Sequence, residues 1–311
     1  MIKVTINIFS GRENPCWLIK DPLASSFLKE IINNKKHLNH ELTPSVIGNN
    51  EIIVEILDPE IVQNFDLPVI FRIVDDISYG HNLTKILLNS ATEFNMGKNI
   101  IKNPTQSSRR SHHRSESNQD ATKMATDSEG QQADIISSSH QLPGFENCYL
   151  QFGRFNAPFW NSSNDIVCAN NCYAYACNIR MPAGNSFPYP GFCNTNSIPT
   201  TSEQLLNGVK SDGLIKVEDL KKCPELKELK PVWLIAMVSG HPTEWGWDFH
   251  FYRKVWSGRE EDKYYWSHKL GSGLVTKLKA DISPKIDAKD RRYNEWHGYF
   301  LVPSTNTICN R

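Results

Sequence analysis

Apolar and polar residues alternate along Met1-Ile-Lys-Val-Thr-Ile-Asn-Ile-Phe9, the period-two pattern of a half-buried strand, predicted here over Val4 to Phe9. Ser10-Gly-Arg-Glu-Asn-Pro15 is a cluster of turn formers, and Cys16 to Ile19 resumes as a second strand. From about Leu23 to Asn33 the period changes, and Phe27, Leu28, Ile31 and Ile32 form one helical stripe. Ile52 to Leu57 and Val69 to Val74 read as strands, and Leu83 to Phe94 as a second helix. Together these predict a small α+β domain over residues 1–97, an accessory or binding module that gathers no catalytic side chains.

Between residues 98 and 144 the apolar positions become too sparse for a core, and Ser, Asn, Gln, His and Arg dominate, as in a disordered linker. Its basic run, Arg109-Arg-Ser-His-His-Arg114, is read as a solvated patch. Periodicity returns in residues 145–311. Cys148 to Phe152 is a short strand, and Met181 to Phe192 a turn-rich irregular loop. A helix from Ser202 to Lys210 follows capping residues at 200 to 202. Val232 to Val238 is continuously apolar, as a central strand buried on both faces should be. Ser239 to Glu244 reads as a turn and Asp248 to Arg253 as an alternating strand. Ser257 to Asp262 is the turn of a hairpin leading to a strand around Tyr265 to Lys269. The mixed charges of Asp287 to Arg292 suggest solvated surface, and Trp296 to Pro303 a closing strand.

Composition narrows the partners. Thirty-four basic against 34 acidic residues give a formal net charge of zero, so no global field draws the protein to nucleic acid or an anionic membrane. No apolar run approaches the roughly 20 residues of a membrane span. The first residues lack the apolar core of a signal peptide, which makes the cytoplasm the default expectation. The eight cysteines are accordingly expected to be reduced thiols. The sequence leaves the oligomeric state open.

The candidate chemistry lies in Asn170-Asn-Cys-Tyr-Ala-Tyr-Ala-Cys-Asn178. Cys172 follows two short polar residues and precedes a helix-compatible run, which would put it near a helix N-terminus. There the dipole and unused N–H groups lower a thiol pKa, so Cys172 is the nucleophile candidate. Cys168 and Cys172 would share a face if they lay on one helix. The spacings among Cys168, Cys172, Cys177 and Cys193 lack the paired knuckles of structural zinc, and no metal is expected. Downstream, His250 and His268 lie on neighbouring predicted strands and are the base and orienter candidates. His241 is a rival base, and Asp248 and His297 are rival orienters. Asn171 and Tyr173 beside the cysteine, and Trp266 and Lys269 beside His268, are candidates to border a substrate. Arg12 in the first turn is a candidate contact for a carboxylate or glycan, against a plain hairpin turn with Trp17 packed inward.

With those residues in view, positions 145–311 resemble the papain-like cysteine hydrolases of the NlpC/P60 and CHAP amidase kind. The resemblance implies an α+β fold in which a helix opened by the nucleophile packs on an antiparallel sheet. It implies Cys172 as nucleophile, His250 as general base and His268 as orienter, with the Cys172 backbone N–H helping to hold an oxyanion. It also implies attack on an amide or isopeptide bond of a peptide or other amide-containing substrate, with no cofactor. The alternatives are a non-catalytic binding protein whose aromatic strands only form a core, and an effector-type deamidase or acyltransferase with the same triad.

Overall fold

The computed structural model describes residues 1–7, 9–33, 51–74, 87, 90, 125–126, 135–137, 151–217, 232–243, 246–256, 264–303 and 306–310. They divide into two compact units. One draws on Met1–Asn7, Asn14–Thr43 and Gly48–Lys123, the other on Ile8–Glu13, Pro44–Ile47 and Met124–Arg311. Each contains helices and antiparallel sheet, so the chain is α+β.

In the first unit the alternation seen at the start of the chain becomes β1 (Ile2–Asn7), with Ile2, Val4 and Ile6 buried. It pairs with β2 (Cys16–Ile19), and α1 (Leu23–Asn33) buries Ala24, Phe27, Leu28 and Ile31. β3 (Glu51–Ile56), α2 (Pro59–Phe65) and β4 (Ile70–Val74) follow, and the four strands are ordered β2-β1-β3-β4, all antiparallel. α2 did not show in the apolar pattern because it buries no residue; its start signals are Asp58, which accepts from the Glu60 N–H, and Pro59. Trp17 is buried and donates its indole N–H to Ser90 Oγ at 3.0 Å. Most of the helix expected over 83–94 lies outside the described residues.

Of the stretch expected as linker, only β5 (Ala125–Thr126) and β6 (Ile135–Ser137) are described; the basic run lies outside. β6 pairs with β7 (Gln151–Gly153). Three short helices follow, α3 (Ala157–Trp160), α4 (Asn164–Ala169) and α5 (Cys172–Cys177). β8 (Ile179–Arg180), which pairs with β5, leads to β9 (Pro188–Tyr189), α6 (Phe192–Thr195) and α7 (Ser202–Ser211). The main sheet comprises β10 (Ile215–Val217), β11 (Val232–Thr243), β12 (Gly246–Trp256), β13 (Tyr264–Lys269), β14 (Val275–Lys277) and β15 (Glu295–Pro303). α8 (Pro284–Asp290) precedes β15, and β16 (Cys309–Asn310) pairs with β9.

The sheet order is β10-β15-β11-β12-β13-β14, antiparallel throughout. β11 is central, and its apolar run divides by parity: Trp233, Ile235 and Met237 pack with α5, whereas Ala236 and Val238 pack with Tyr252, Ala288 and Tyr293. The expected turn at Ser239 to Glu244 is instead strand up to Thr243, with a bulge between Gly240 and Thr243 absorbing the Gly-His-Pro interruption. The hairpin turn expected over 257–262 lies outside the described residues.

Two expectations about cysteines change. Cys168 and Cys172 lie on different helices, because the Asn171 side chain caps α5 by accepting from the Tyr173 and Ala174 N–H groups and so begins a new helix. Cys193 and Cys309 are joined by a disulfide across 116 residues of sequence, where reduced thiols had been the default. Because it closes a long loop, reduction or Cys309→Ser should lower the unfolding free energy by about 2–4 kcal/mol, seen as a lower urea midpoint with a steeper slope, since the unfolded chain then opens further.

Candidate active site

α5 is six residues long, too short to stand without help, and every one of its residues is buried. Both ends are held by asparagine. Asn171 caps the start, while Asn178 adopts the left-handed conformation at φ 60° and returns its N–H to carbonyls of the last turn. Arg253 of β12 donates to the Tyr175 carbonyl at 3.1 Å and to Asn178 Oδ1, and its guanidinium lies 4.2 Å from the Tyr175 ring centroid. A cation at a helix C-terminus complements the dipole. Tyr175 also shares a 2.6 Å hydrogen bond with Ser267 of β13, which fixes the helix to two strands.

This anchoring sets Cys172 against the middle of β12. Its Sγ lies 3.8 Å from the Phe249 carbonyl oxygen and is met by the Phe251 backbone N–H. Those groups flank His250. They lie beyond the β12–β13 ladder, which runs from Tyr252↔His268 to Trp256↔Tyr264, so the thiol takes the place of a neighbouring strand. His250 Nε2 and His268 Nδ1 are 2.9 Å apart and hydrogen-bonded. The other His250 nitrogen, Nδ1, is buried and has no hydrogen-bond partner among the described residues. The structure therefore joins His250 to His268, while the Cys172 sulfur meets the backbone on either side of His250, whose ring packs on Tyr252 and Tyr293 at 4.5 and 5.7 Å between centroids.

The electrostatics reverse one expectation. The Cys172 thiol is pushed well up, not down, first because burial strips solvent from the thiolate and second because Asp248 is nearby. The helix effect is small, usually under about 1 kcal/mol, and the first N–H groups of this short helix are already taken. His250 is held well below its usual range by burial, then by the adjacent His268 and by Arg291; burial and Arg291 do the same to His268. Both imidazoles are thus kept neutral. The Cys172 backbone N–H, the expected oxyanion donor, gives its hydrogen to the Ser10 carbonyl at 3.3 Å.

The remaining predicted residues have internal employment. Asn171 donates to the Gly11 and Pro188 carbonyls as well as capping α5. Tyr173 donates its hydroxyl to Asp212 Oδ2 at 2.6 Å. Lys269 is fully buried, its ammonium donating to the Val167 and Gly271 carbonyls at 2.7 and 2.6 Å. Trp266 is half-buried and stacks on Tyr299 at 5.7 Å, with Lys254 Nζ 5.1 Å from its ring centroid. His241 is exposed, and His297 bonds Ser239 Oγ through Nε2 at 2.8 Å.

Asp287 was overlooked. It is buried on α8, receives the Tyr252 hydroxyl at 2.8 Å and Arg291 Nε at 2.7 Å, and has Oδ2 3.9 Å from His268 Nδ1. Tyr252 stacks on the His268 ring at 5.4 Å and 15°. The mixed charges around Asp287 look like surface, and the one local sign to the contrary is Ser283-Pro284, an N-cap followed by an N1 proline. Asp248, a rival orienter, serves instead as acceptor for the backbone N–H groups of Ser10, Gly11 and Arg12 and for the Tyr293 hydroxyl.

No helix among the described residues is long and apolar enough to cross a membrane. No protein-family model, curated protein or solved structure matches the chain.

Proposed function

We propose that the second unit is a papain-like cysteine hydrolase, an amidase or peptidase acting on a peptide or other amide-containing substrate. The observation that carries this is the seating of the Cys172 sulfur between the Phe249 carbonyl and the Phe251 N–H while His250 is bound through Nε2 to His268. With Nε2–H donated to His268, the bare nitrogen of His250 is Nδ1, the atom left without a partner. In the proposed reaction the sulfur attacks the amide carbonyl carbon as its proton passes to His250 Nδ1. That proton goes on to the departing nitrogen as the C–N bond breaks, and water then cleaves the thioester, releasing the acid and restoring the thiol. His268 orients the ring, Tyr252 stacks on His268, and Asp287, itself bonded by Arg291, fixes the Tyr252 hydroxyl.

A peptidyl acyloxymethyl ketone series with intact-mass detection tests this. One adduct is expected, on Cys172, absent in Cys172→Ser and formed at least about 100-fold more slowly in His250→Ala, the range for loss of a general base. Labelling that ignores His250 would sink the dyad. The second reading, a non-catalytic binding protein, is favoured by the complete burial of Cys172 and its raised thiol pKa, and it expects no adduct at all.

A further inference from the structure

A carbonyl of the protein's own chain lies on the Cys172 backbone N–H. Residues 9–13 belong to the second unit, and Phe9 and Ser10 are buried there. The Ser10 carbonyl accepts from the Cys172 N–H at 3.3 Å, and the Gly11 carbonyl accepts from Asn171 Nδ2 at 2.8 Å. On the other edge of the segment, Ser10 N–H donates to Asp248 Oδ2 at 2.8 Å, and the Gly11 and Arg12 N–H groups donate to Oδ1 at 3.2 Å each. Arg12 Nη1 donates to the Trp247 carbonyl at 2.6 Å, and its guanidinium lies 5.0 Å from the Phe9 ring centroid.

Every one of these contacts except the guanidinium's uses backbone of the segment, as peptide recognition by an extended groove does. The side-chain constraint is at Gly11, where a Cβ would stand 2.3 Å from the Phe249 ring, so only glycine fits between the segment and β12. The first N–H of a helix beside a nucleophile is also the donor that polarises a carbonyl under attack.

We propose that Phe9 to Arg12 is an internal pseudosubstrate: it covers Cys172 by occupying the acyl position with Ser10 and must be displaced by a peptide that likewise carries glycine after the acyl residue. The proposal rests on reading Cys172 as the nucleophile. The segment is built to stay rather than to be cut. For the Ser10–Gly11 bond to break, the Gly11 nitrogen must take up a proton, whereas here it donates its own hydrogen to Asp248.

The test is alkylation of the full-length native protein by iodoacetamide, read at Cys172 by peptide mapping with the exposed Cys168 as internal reference. Gly11→Ala forces the segment against the Phe249 ring, and Arg12→Ala removes its side-chain tether without crowding anything. Weakening the clamp by about one hydrogen bond's worth raises the open population roughly 10-fold, so Cys172 should label about 10-fold faster in either variant. Adding the peptide acetyl-Phe-Ser-Gly-Arg-Glu-amide in excess should restore slow labelling. No acceleration in either variant, with circular dichroism and melting unchanged, would overturn the proposal, as would wild-type protein found cleaved after Ser10. The ketone series run on the same two variants, with His250 intact, separates the two readings. Iodoacetamide acceleration without any ketone adduct there removes the hydrolase and leaves the covering segment standing.

Discussion

Between about pH 6.5 and 5 the second unit should lose up to about 2.7 kcal/mol of stability per pH unit as the pH falls. Burial and Arg291 hold His250 and His268 well below the ordinary histidine value of 6.5, and the neighbouring His268 lowers His250 further. In the unfolded chain both imidazoles take up protons as the pH drops through 6.5, while in the folded protein neither does. The unfolded state therefore binds up to two more protons, and each contributes about 1.4 kcal/mol per unit to the slope. This stability is fully present above the unfolded value and is lost downward until the folded pair itself titrates. Three other groups modify the slope. His297, also lowered by burial, adds to it, and Asp248 and Asp212, both raised by burial, oppose it. Urea midpoints at pH 7.5, 6.5 and 5.5 measure the effect, and His268→Gln should remove roughly half of it. A stability that stays level or rises on acidification would show that the two histidines are not held neutral together.

That pair illustrates what was and was not legible in the sequence. The alternation around Asp248 to Arg253 and Tyr265 to Lys269 marked two strands, and strands joined by a short connection pair side by side, so His250 and His268 meet for local reasons. The cap residue Asn171 marked where α5 begins, and the unbroken apolar run from Val232 marked the central strand. What could not be read were relations between segments far apart in the chain. Asp287 sits in a charged stretch whose local pattern says surface, and it is buried only because α8 folds over the face that carries Tyr252 and His268. Ser10 to Arg12 read as an ordinary turn because turn chemistry describes the backbone conformation and not what its N–H groups face. The thiol pKa went the wrong way for a similar reason. Helix position is local, whereas burial is a property of the assembled core and the Asp248 charge comes from 76 residues away in the chain.

Asp248→Ala should cost about 4 kcal/mol, the largest single-residue effect expected outside the apolar core. The carboxylate is completely buried and accepts four hydrogen bonds, from the Ser10, Gly11 and Arg12 N–H groups and from the Tyr293 hydroxyl at 2.7 Å. Truncation leaves all four donors enclosed, and an enclosed donor without an acceptor costs about 1–3 kcal/mol, discounted here because the loop can partly turn to water. Tyr293→Phe removes one neutral donor and should cost only about 1 kcal/mol. Asp248→Asn falls between: one oxygen still accepts, but its amide hydrogens now face N–H groups. Burial raises the Asp248 pKa against the pull of those donors, and its negative charge in turn raises Cys172. Asp248→Asn should therefore lower the pH midpoint of Cys172 alkylation as well as destabilise the fold, two readouts with one cause. Urea midpoints at constant slope measure the first and pH-resolved labelling the second. If Asp248→Ala costs less than about 1 kcal/mol, the three amides of Ser10 to Arg12 are not anchored there and the segment does not cover the cysteine in solution.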